Sequence, residues 1–277
     1  MILISDSGST KTDWVLSDGG TVMRRVRTEG INPFHQSVER IDGIIHENLL
    51  PSIGDVDIEK VFFYGSGCTP EMVPVVSGVL SNVFPDAGLI DVNGDLMAAA
   101  RAVCGRRKGV ACILGTGANS CLYDGTQIIA NTPPLGYILG DEGSGAVLGK
   151  LFLNALLKGF LPSEMKNDFF REYGVTYPDI IRKVYREPQA NRFLATTANF
   201  ISAHTDNAQL RKMVCDNFHD FFRRNLSQYN YRGPVGFVGG IAYQFSHLLE
   251  TVADEEGYSV SVIMKSPIDG LLKYHIA

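Results

Sequence analysis

Hydrophobic and polar positions along the first 28 residues form three short apolar runs separated by turn residues. Residues 1–5 and 14–16 are largely apolar, and a third run starts at Val22 after a turn of Ser, Asp and two Gly residues. Apolar runs bounded by Gly and Asp are typical of β-strands. The pattern predicts an antiparallel meander of three strands.

Helix-like and strand-like patterns alternate over the next part of the chain. Apolar residues follow helical spacing at Val38, Ile41, Ile44, Ile45 and Leu49. This spacing predicts a helix that ends at Pro51. After it we expect a strand, a helix, a strand and a helix over residues 60–64, 71–83, 88–92 and 96–103. Such alternation predicts an α/β fold.

The second half of the chain repeats the opening in outline. Strand patterns over residues 110–114, 120–123 and 127–130 are separated by a Gly-Thr-Gly turn and an Asp-Gly turn. An outline repeated without matching residues is what a duplicated fold looks like after long divergence. Mostly helical patterns follow over residues 145–230, most clearly over 191–203 and 209–226. A strand, a helix, a strand and a short helix are then expected over 234–238, 242–250, 260–264 and 270–277.

Two lobes follow from this organisation and from the length. At roughly 150 residues per domain, 277 residues are closer to two domains than to one. We expect a first lobe over residues 1–108 and a second over residues 109–269, with a hinge near 105–109. The helix of residues 270–277 is a candidate for packing back on the first lobe.

Composition narrows the function classes. Hydrophobic residues make up 45% of the chain and charged residues 20%, which is ordinary for a globular protein. A net charge of −5 argues against a nucleic-acid-binding protein. No uncharged run approaches the ~18 residues of a membrane span, so we expect a cytoplasmic protein without a membrane partner. Five scattered cysteines favour free thiols over a disulfide framework or a zinc site.

Two Gly-containing turns follow strands at equivalent positions of the repeat. In the first, Gly8 lets the chain fold back, so that backbone N–H groups and the hydroxyls of Ser9, Thr10 and Thr12 can meet an anion, while Lys11 adds charge. The G-x-x-x-x-G-K-[ST] spacing of a P-loop is absent. Taken alone, this segment is better explained as a plain polar turn.

The second turn consists of Gly115, Thr116 and Gly117. Two such turns in a duplicated fold could hold a polyphosphate from both sides. Gly239 and Gly240 form a third Gly turn that opens a helix, where the backbone can lie flat against a ring.

Carboxylates at helix starts have two interpretations. Asp95 stands between a strand and an Ala-rich helix, where it is either an N-cap or a general base. Asp141 and Glu142 lie between glycines ahead of another helix. There, either Ser144 or Asp141 caps the helix, or one of the two carboxylates recognises a polar ligand.

The order and spacing of these elements resemble the N-acetylglucosamine kinase and BadF/BadG/BcrA/BcrD ATPase family of the actin, hexokinase and Hsp70 superfamily. The resemblance implies a duplicated ribonuclease H-like (actin-like ATPase) fold with two lobes around a nucleotide cleft. It also implies an ATP- and Mg²⁺-dependent amino-sugar kinase that forms a homodimer. Such an enzyme transfers the γ-phosphate of ATP to the 6-hydroxyl of N-acetylglucosamine or a related amino sugar.

Roles for individual residues are implied by the same resemblance. Asp95 matches the catalytic base, and Asp6 matches the acidic residue that positions magnesium. Three segments match the family's nucleotide contacts. The first phosphate turn is Gly8, Ser9, Thr10 and Lys11, the second phosphate turn is Gly115, Thr116 and Gly117, and the adenosine motif is Gly239 and Gly240. The amino-sugar contacts match Asn32, Ser66, Asp141 and Gly143, together with Asp95.

Two alternatives share the superfamily. An ATPase activator of an acyl-CoA reductase or dehydratase carries an iron–sulfur cluster that bridges two subunits, which requires paired thiolates. The apolar settings of Cys104, Cys112 and Cys121 disfavour this class. A non-catalytic sugar-sensing protein would keep the fold without the chemistry. The presence of Asp95 favours an enzyme, because an amide would suffice for sensing.

Overall fold

The computed structural model describes residues 1–8 and 10–276. Contacts between Cα atoms divide the chain into two compact units. Unit 1 contains Met1–Lys108, Asp124–Ile128 and the chain from Ser266 onward. Unit 2 contains Gly109–Tyr123 and Ile129–Lys265. Asp124–Ile128 and residues 266–269 therefore lie in unit 1, although they fall within the range expected for the second lobe.

The sheet of unit 1 has the order β3-β2-β1-β4-β5. Its strands are β1 (Ile2–Ser7), β2 (Lys11–Asp18), β3 (Thr21–Glu29), β4 (Lys60–Gly65) and β5 (Leu89–Gly94). The first three strands pair antiparallel, as the predicted meander requires, whereas β1, β4 and β5 are parallel. The carboxyl ends of these three parallel strands therefore lie along one edge of the sheet.

The central strands β1 and β4 of this sheet are buried on both faces. Successive side chains of a strand point to opposite faces, and Leu3 and Phe63 belong to one buried cluster while Ile4 and Phe62 belong to another. The first cluster includes residues of α1 (Val38–Ile44) and α3 (Val73–Val83). The second includes residues of α4 (Asp95–Cys104) and α14 (Ile268–Ile276). Helices on both faces are typical of an α/β layer architecture.

The first helix continues beyond the predicted end. After α1 the chain forms a π-helical turn, Ile45–Leu49, and then a short helix α2, Leu50–Ile53. The prediction that the helix ends at Pro51 is therefore wrong. Pro51 lies in the first turn of α2, where a missing N–H and a fixed φ are tolerated.

The sheet of unit 2 repeats the arrangement of unit 1. Its order is β10-β9-β6-β7-β8. The strands are β6 (Gly109–Leu114), β7 (Ala118–Tyr123), β8 (Ile128–Ala130), β9 (Val235–Val238) and β10 (Val260–Met264). β6 pairs antiparallel with β7 and parallel with β9, which pairs parallel with β10. The equivalent strand order of the two sheets confirms the duplicated, actin-like ATPase fold.

Helices fill most of unit 2. They are α5 (Gly136–Leu139), α6 (Gly145–Leu157), α7 (Ser163–Tyr173), α8 (Tyr177–Tyr185), α9 (Ala190–Thr196), α10 (Ala198–Ala203), α11 (Ala208–Phe221), α12 (Gly240–Gln244) and α13 (Ser246–Glu255). The two clearest predicted helices are interrupted. Residues 191–203 break at Thr197, whose hydroxyl donates to Leu194 O, and the second changes to a π-helical turn, Phe222–Leu226. Among the described residues, no helix has both the length and the apolar composition needed to cross a bilayer.

Close packing of α14 against α4 gives a stability prediction. A Cβ atom on Gly270 would lie 2.7 Å from Ala102 Cβ, so Gly270→Ala should lower the free energy of unfolding by about 1–3 kcal/mol through overpacking. Gly78→Ala in α3 is the control, because no atom lies within 4 Å of its added methyl. That control should gain about 0.5–1 kcal/mol. Urea unfolding measures both, and a stabilising Gly270→Ala would contradict the packing argument.

Candidate functional site

Three parallel strands of unit 1 end in register. Ser7 of β1 pairs with Gly65 of β4, and Gly65 pairs with Gly94 of β5. The next residues along the chain are Gly8, Ser66 and Asp95. Ser66 N–H donates to Ser7 O at 2.8 Å, which joins two of these strand ends. The crevice outside the carboxyl ends of parallel strands is the usual ligand site of open α/β sheets.

Asp6 is a mostly buried carboxylate at this edge. Burial raises the pKa of Asp6 to about 6, and the negative charges of Asp13 and Asp95 act in the same direction. The Ser266 hydroxyl, which donates to Asp6 Oδ2 at 3.2 Å, and the charge of Lys11 oppose this rise. Asp6 therefore lies where negative charge is concentrated and cations are favoured.

The first phosphate turn differs from expectation in its side chains. Gly8 N–H donates to Lys11 O at 3.0 Å and closes the turn, and Thr10 is exposed. Lys11 Nζ lies 2.7 Å from Asp13 Oδ2, so its charge is partly neutralised within the protein. Ser9 lies outside the described residues.

Thr12 does not fit the expectation of a hydroxyl free to meet an anion. Its side chain is buried, lies 2.7 Å from Ser7 Oγ and donates to Glu29 O at 3.1 Å. The reason is its position on β2, where alternate side chains point into the protein. Its hydrogen bonds are therefore made within unit 1.

Asp95 is not the N-cap of α4 but the residue that follows the N-cap. Gly94 is the N-cap of α4, because β5 leads into the helix without an intervening loop, and Asp95 is the first helical residue. Burial raises the pKa of Asp95, while the backbone N–H groups of Leu96 and of Asp95 itself oppose the rise. The result is a partly buried carboxylate at the amino end of a helix, where negative charge is favoured.

Asn32 and Ser66, expected as amino-sugar contacts, are also in unit 1. Asn32 Oδ1 accepts the Phe34 N–H at 3.0 Å, and a Cβ atom on Gly67 would lie 2.2 Å from the same oxygen. The buried Ser66 hydroxyl has no hydrogen-bond partner among the described residues. Leaving a buried hydroxyl unpaired costs about 1–3 kcal/mol, so this atom suits a ligand that supplies the partner.

The second phosphate turn is held by α6 within unit 2. Gly115 N–H donates to Gly117 O, and the N–H groups of Gly145 and Ala146 donate to the carbonyls of Gly115 and Thr116. The structure gives the N–H groups of Thr116 and Gly117 no acceptor within its described ranges. The turn therefore has fixed carbonyls and two N–H groups that suit an anion.

Asp141 lies beside this second turn. Its Oδ1 accepts the Ala118 N–H at 3.2 Å, and a Cβ atom on Gly117 would lie 3.1 Å from Oδ2. Burial raises the pKa of Asp141, the Ala118 N–H opposes this, and the Glu142 charge adds to it. Ser144, not Asp141, caps α6, because the Ser144 side chain accepts the Val147 N–H.

Gly143 and Gly239 lie where a larger residue would not fit. A Cβ atom on Gly143 would lie 2.9 Å from Phe221 Cβ, and its N–H already donates to Asn217 Oδ1. Gly239 has a φ of +127°, and a Cβ atom there would lie 2.2 Å from Leu114 O. In contrast, Gly240 opens α12 with no atom within 4 Å of an added Cβ.

Three residues near the candidate site were missed by the sequence interpretation. Ser266 bonds Asp6, Asn217 fixes the segment around Gly143, and burial raises the pKa of Cys68 to about 12, with the Asp95 charge as a second cause. Ser and Asn residues far along the chain carry no local signal of such contacts. Only the order Gly-Ser-Gly-Cys after a strand could have pointed to Cys68.

The raised pKa of Asp6 predicts a pH-dependent stability. Between its ordinary value of 3.8 and about 6, the folded state binds more protons at this group than the unfolded chain does, so ionisation lowers stability as pH rises. Asp6→Asn keeps an acceptor for Ser266 and removes this effect. The variant should match the parent near pH 4 and exceed it by about 2 kcal/mol in unfolding free energy at pH 7.5. Urea unfolding across this range measures the difference.

A matched control for this prediction is Asp86→Asn, which removes an exposed carboxylate outside the strand-end group. A difference between Asp6→Asn and the parent that stays constant with pH would contradict the buried-carboxylate explanation.

No protein-family model and no curated protein matches the chain. The crystal structure of a putative N-acetylglucosamine kinase from Porphyromonas gingivalis is 47% identical, with a TM-score of 0.97, and the match covers 100% of this chain and 99% of that one. A putative N-acetylglucosamine kinase from Chromobacterium violaceum matches at 16% identity and a TM-score of 0.76, covering 99% and 98% of the two chains.

A ROK family glucokinase from Streptomyces griseus, in complex with glucose and AMPPNP, matches at 11% identity and a TM-score of 0.58, covering 99% and 97%. The matches at 16% and 11% identity show the shared fold. The match to the Porphyromonas gingivalis protein spans the full length at high identity. The chain therefore belongs to the N-acetylglucosamine kinase and BadF/BadG/BcrA/BcrD ATPase family.

Proposed function

We propose that the protein is an ATP-dependent sugar kinase that phosphorylates N-acetylglucosamine or a related amino sugar at its 6-hydroxyl. The observation that carries the proposal is the strand-end group of unit 1. It combines a carboxylate of raised pKa, Asp95, with the Ser66 hydroxyl, which has no partner among the described residues, and with the mostly buried carboxylate of Asp6. The 47% identical relative, a putative N-acetylglucosamine kinase, supports the amino-sugar class.

Asp95 is the proposed general base. It orients the acceptor hydroxyl and takes its proton as the oxygen attacks the γ-phosphorus, while the bond from that phosphorus to the bridging oxygen of ADP breaks. A pKa raised by burial brings the carboxylate closer to the operating pH, which improves a general base. Ser66 and Asn32 would orient the sugar by hydrogen bonds, and the Ser66 hydroxyl is ready to form one.

The phosphates are the proposed ligands of the two Gly-containing turns. In unit 1 this is the turn closed by Gly8, with Ser9, Thr10 and Lys11. In unit 2 the N–H groups of Thr116 and Gly117 would bind phosphate oxygens, and Gly239 with Gly240 would lie against the adenosine. Fixed N–H groups stabilise charge that develops during transfer without having to reorganise. Asp141 and Gly143 would contact the sugar rather than the phosphates.

Asp6 fits the position of a magnesium ligand. The described residues contain no group of three or more His, Cys, Asp or Glu side chains suited to a metal ion. Mg²⁺ in phosphoryl-transfer sites commonly uses only one or two carboxylates together with water and phosphate oxygens. Asp6 is such a carboxylate, buried and close to the charges of Asp13 and Asp95. When bound, Mg²⁺ would neutralise charge on the transferring phosphoryl group. We also propose that the protein forms a homodimer in solution.

Asp95→Asn tests the proposed chemistry. The amide keeps the size of the side chain but cannot accept the proton, so kcat for amino-sugar phosphorylation should fall at least about a hundredfold, with a smaller change in the sugar KM. The measurement is ADP release from Mg·ATP with N-acetylglucosamine, glucosamine, N-acetylmuramic acid and glucose in turn. Asp86→Asn, an exposed carboxylate outside the site, is the matched control.

Two results would overturn the proposal. Slow ADP release that no sugar stimulates would exclude a sugar kinase. Near-normal turnover of Asp95→Asn with an amino sugar would leave the kinase activity in place but remove Asp95 as its base.

A further inference from the structure

The last residue of β1, Ser7, connects three segments of unit 1. Its side chain is buried, and its Oγ lies within hydrogen-bond distance of Ile31 O at 2.8 Å, of Ile31 N at 2.9 Å and of Thr12 Oγ1 at 2.7 Å. The carbonyl of Ser7 accepts the Ser66 N–H at 2.8 Å. One residue therefore bonds to both loops that carry the proposed sugar contacts Asn32 and Ser66.

The loop around Asn32 is held by hydrogen bonds within the loop and by a close contact with Gly67. Gln36 Oε1 accepts the Asn32 N–H at 2.8 Å, and Gln36 Nε2 donates to Gly30 O at 2.9 Å. The Asn32 side chain abuts Gly67, where even a methyl group would overlap it. Ile31, Asn32 and the segment that follows Ser66 are therefore in one continuous set of contacts.

Ser7 also lies between two residues with proposed nucleotide roles. Asp6 precedes it, and Gly8, whose N–H closes the first phosphate turn, follows it. Thr12, on the far side of that turn, lies 2.7 Å from the Ser7 hydroxyl and extends the link to β2. The hydroxyl of Ser7 thus joins both sides of the phosphate turn to the Ile31 backbone.

We propose that Ser7 is a positioning residue that couples amino-sugar binding to ATP binding. A sugar held by Asn32 and Ser66 fixes the Ile31 and Ser66 backbones, and their hydrogen bonds to Ser7 fix the phosphate turn in the arrangement that binds the nucleotide. Sugar therefore tightens ATP binding, and by linkage ATP tightens sugar binding by the same factor. The inference rests on the proposed function and adds the coupling between its two substrates.

Calorimetric titration with a non-hydrolysable ATP analogue and Mg²⁺, with and without saturating N-acetylglucosamine, measures this coupling. In the parent protein the sugar should lower the dissociation constant of the analogue about tenfold, within the usual range of coupling between sites. In Ser7→Ala that factor should fall to about one to two, because the hydroxyl that joins the segments is absent. Ser7→Thr keeps a hydroxyl and should retain most of the coupling.

Ser5→Ala is the matched control. Ser5 is two residues earlier on the same face of β1 and equally buried, and its hydroxyl has no partner among the described residues. Its loss should therefore leave the coupling unchanged. Thr12→Val, which preserves shape and removes the neighbouring hydroxyl, should give an intermediate loss and provides the test if Ser7→Ala does not fold.

The outcomes separate this inference from the proposed function. Binding of both ligands to the parent without coupling, or equal coupling in the parent and Ser7→Ala, would overturn the role of Ser7 while the kinase proposal stands. Loss of coupling in Ser5→Ala to the same extent would also overturn it, because the effect would then reflect any change in the strand. A parent that binds no amino sugar and shows no sugar-dependent ADP release would overturn both.

Discussion

The register of three parallel strands is the constraint on which the rest of unit 1 depends. Pairing of Ser7 with Gly65 and of Gly65 with Gly94 makes β1, β4 and β5 end together. A shift of one residue in any of these pairings would reverse the direction of every side chain in that strand. The burial of β1 and β4 on both faces opposes such a shift, because it would exchange Leu3 with Ile4, or Phe62 with Phe63, between the two buried clusters.

Electrostatics at this edge follow from the same geometry. Asp6 and Asp95 both lie at these strand ends, and the negative charge of Asp95 adds to the effect of burial in raising the pKa of Asp6. The start of α4 favours a charged Asp95, while burial disfavours it. Lys11 compensates this negative charge only in part, because it is paired with Asp13. Such an environment is suited to substrates that arrive with a cation.

The sequence allowed the strands, their duplication and the Gly-containing turns to be predicted, because these features have local signals in alternation and in turn residues. Boundaries that depend on two or three residues were less accessible: Gly94 rather than Asp95 is the cap of α4, and the first helix passes Pro51. The inward direction of Thr12 depends on strand register, which the pattern of a polar segment does not define. The contact of Ser266 with Asp6 joins residues at opposite ends of the chain, and no local rule predicts it.

Unit 1 is assembled from segments that are far apart in the sequence, and this has a consequence for biosynthesis. A ribosome releases residues in order, so β1 to β5 emerge well before α14, whose Ile268, Leu271 and Leu272 cover Ile4 and Phe62. Almost all of unit 2 is synthesised in between and can form its own core first. Until α14 has been synthesised, this face of the first sheet is covered by α4 alone and Asp6 lacks its Ser266 partner. A product truncated before α14 would therefore expose apolar side chains of this face, among them Ile4 and Phe62, which favours capture by chaperones or proteolysis.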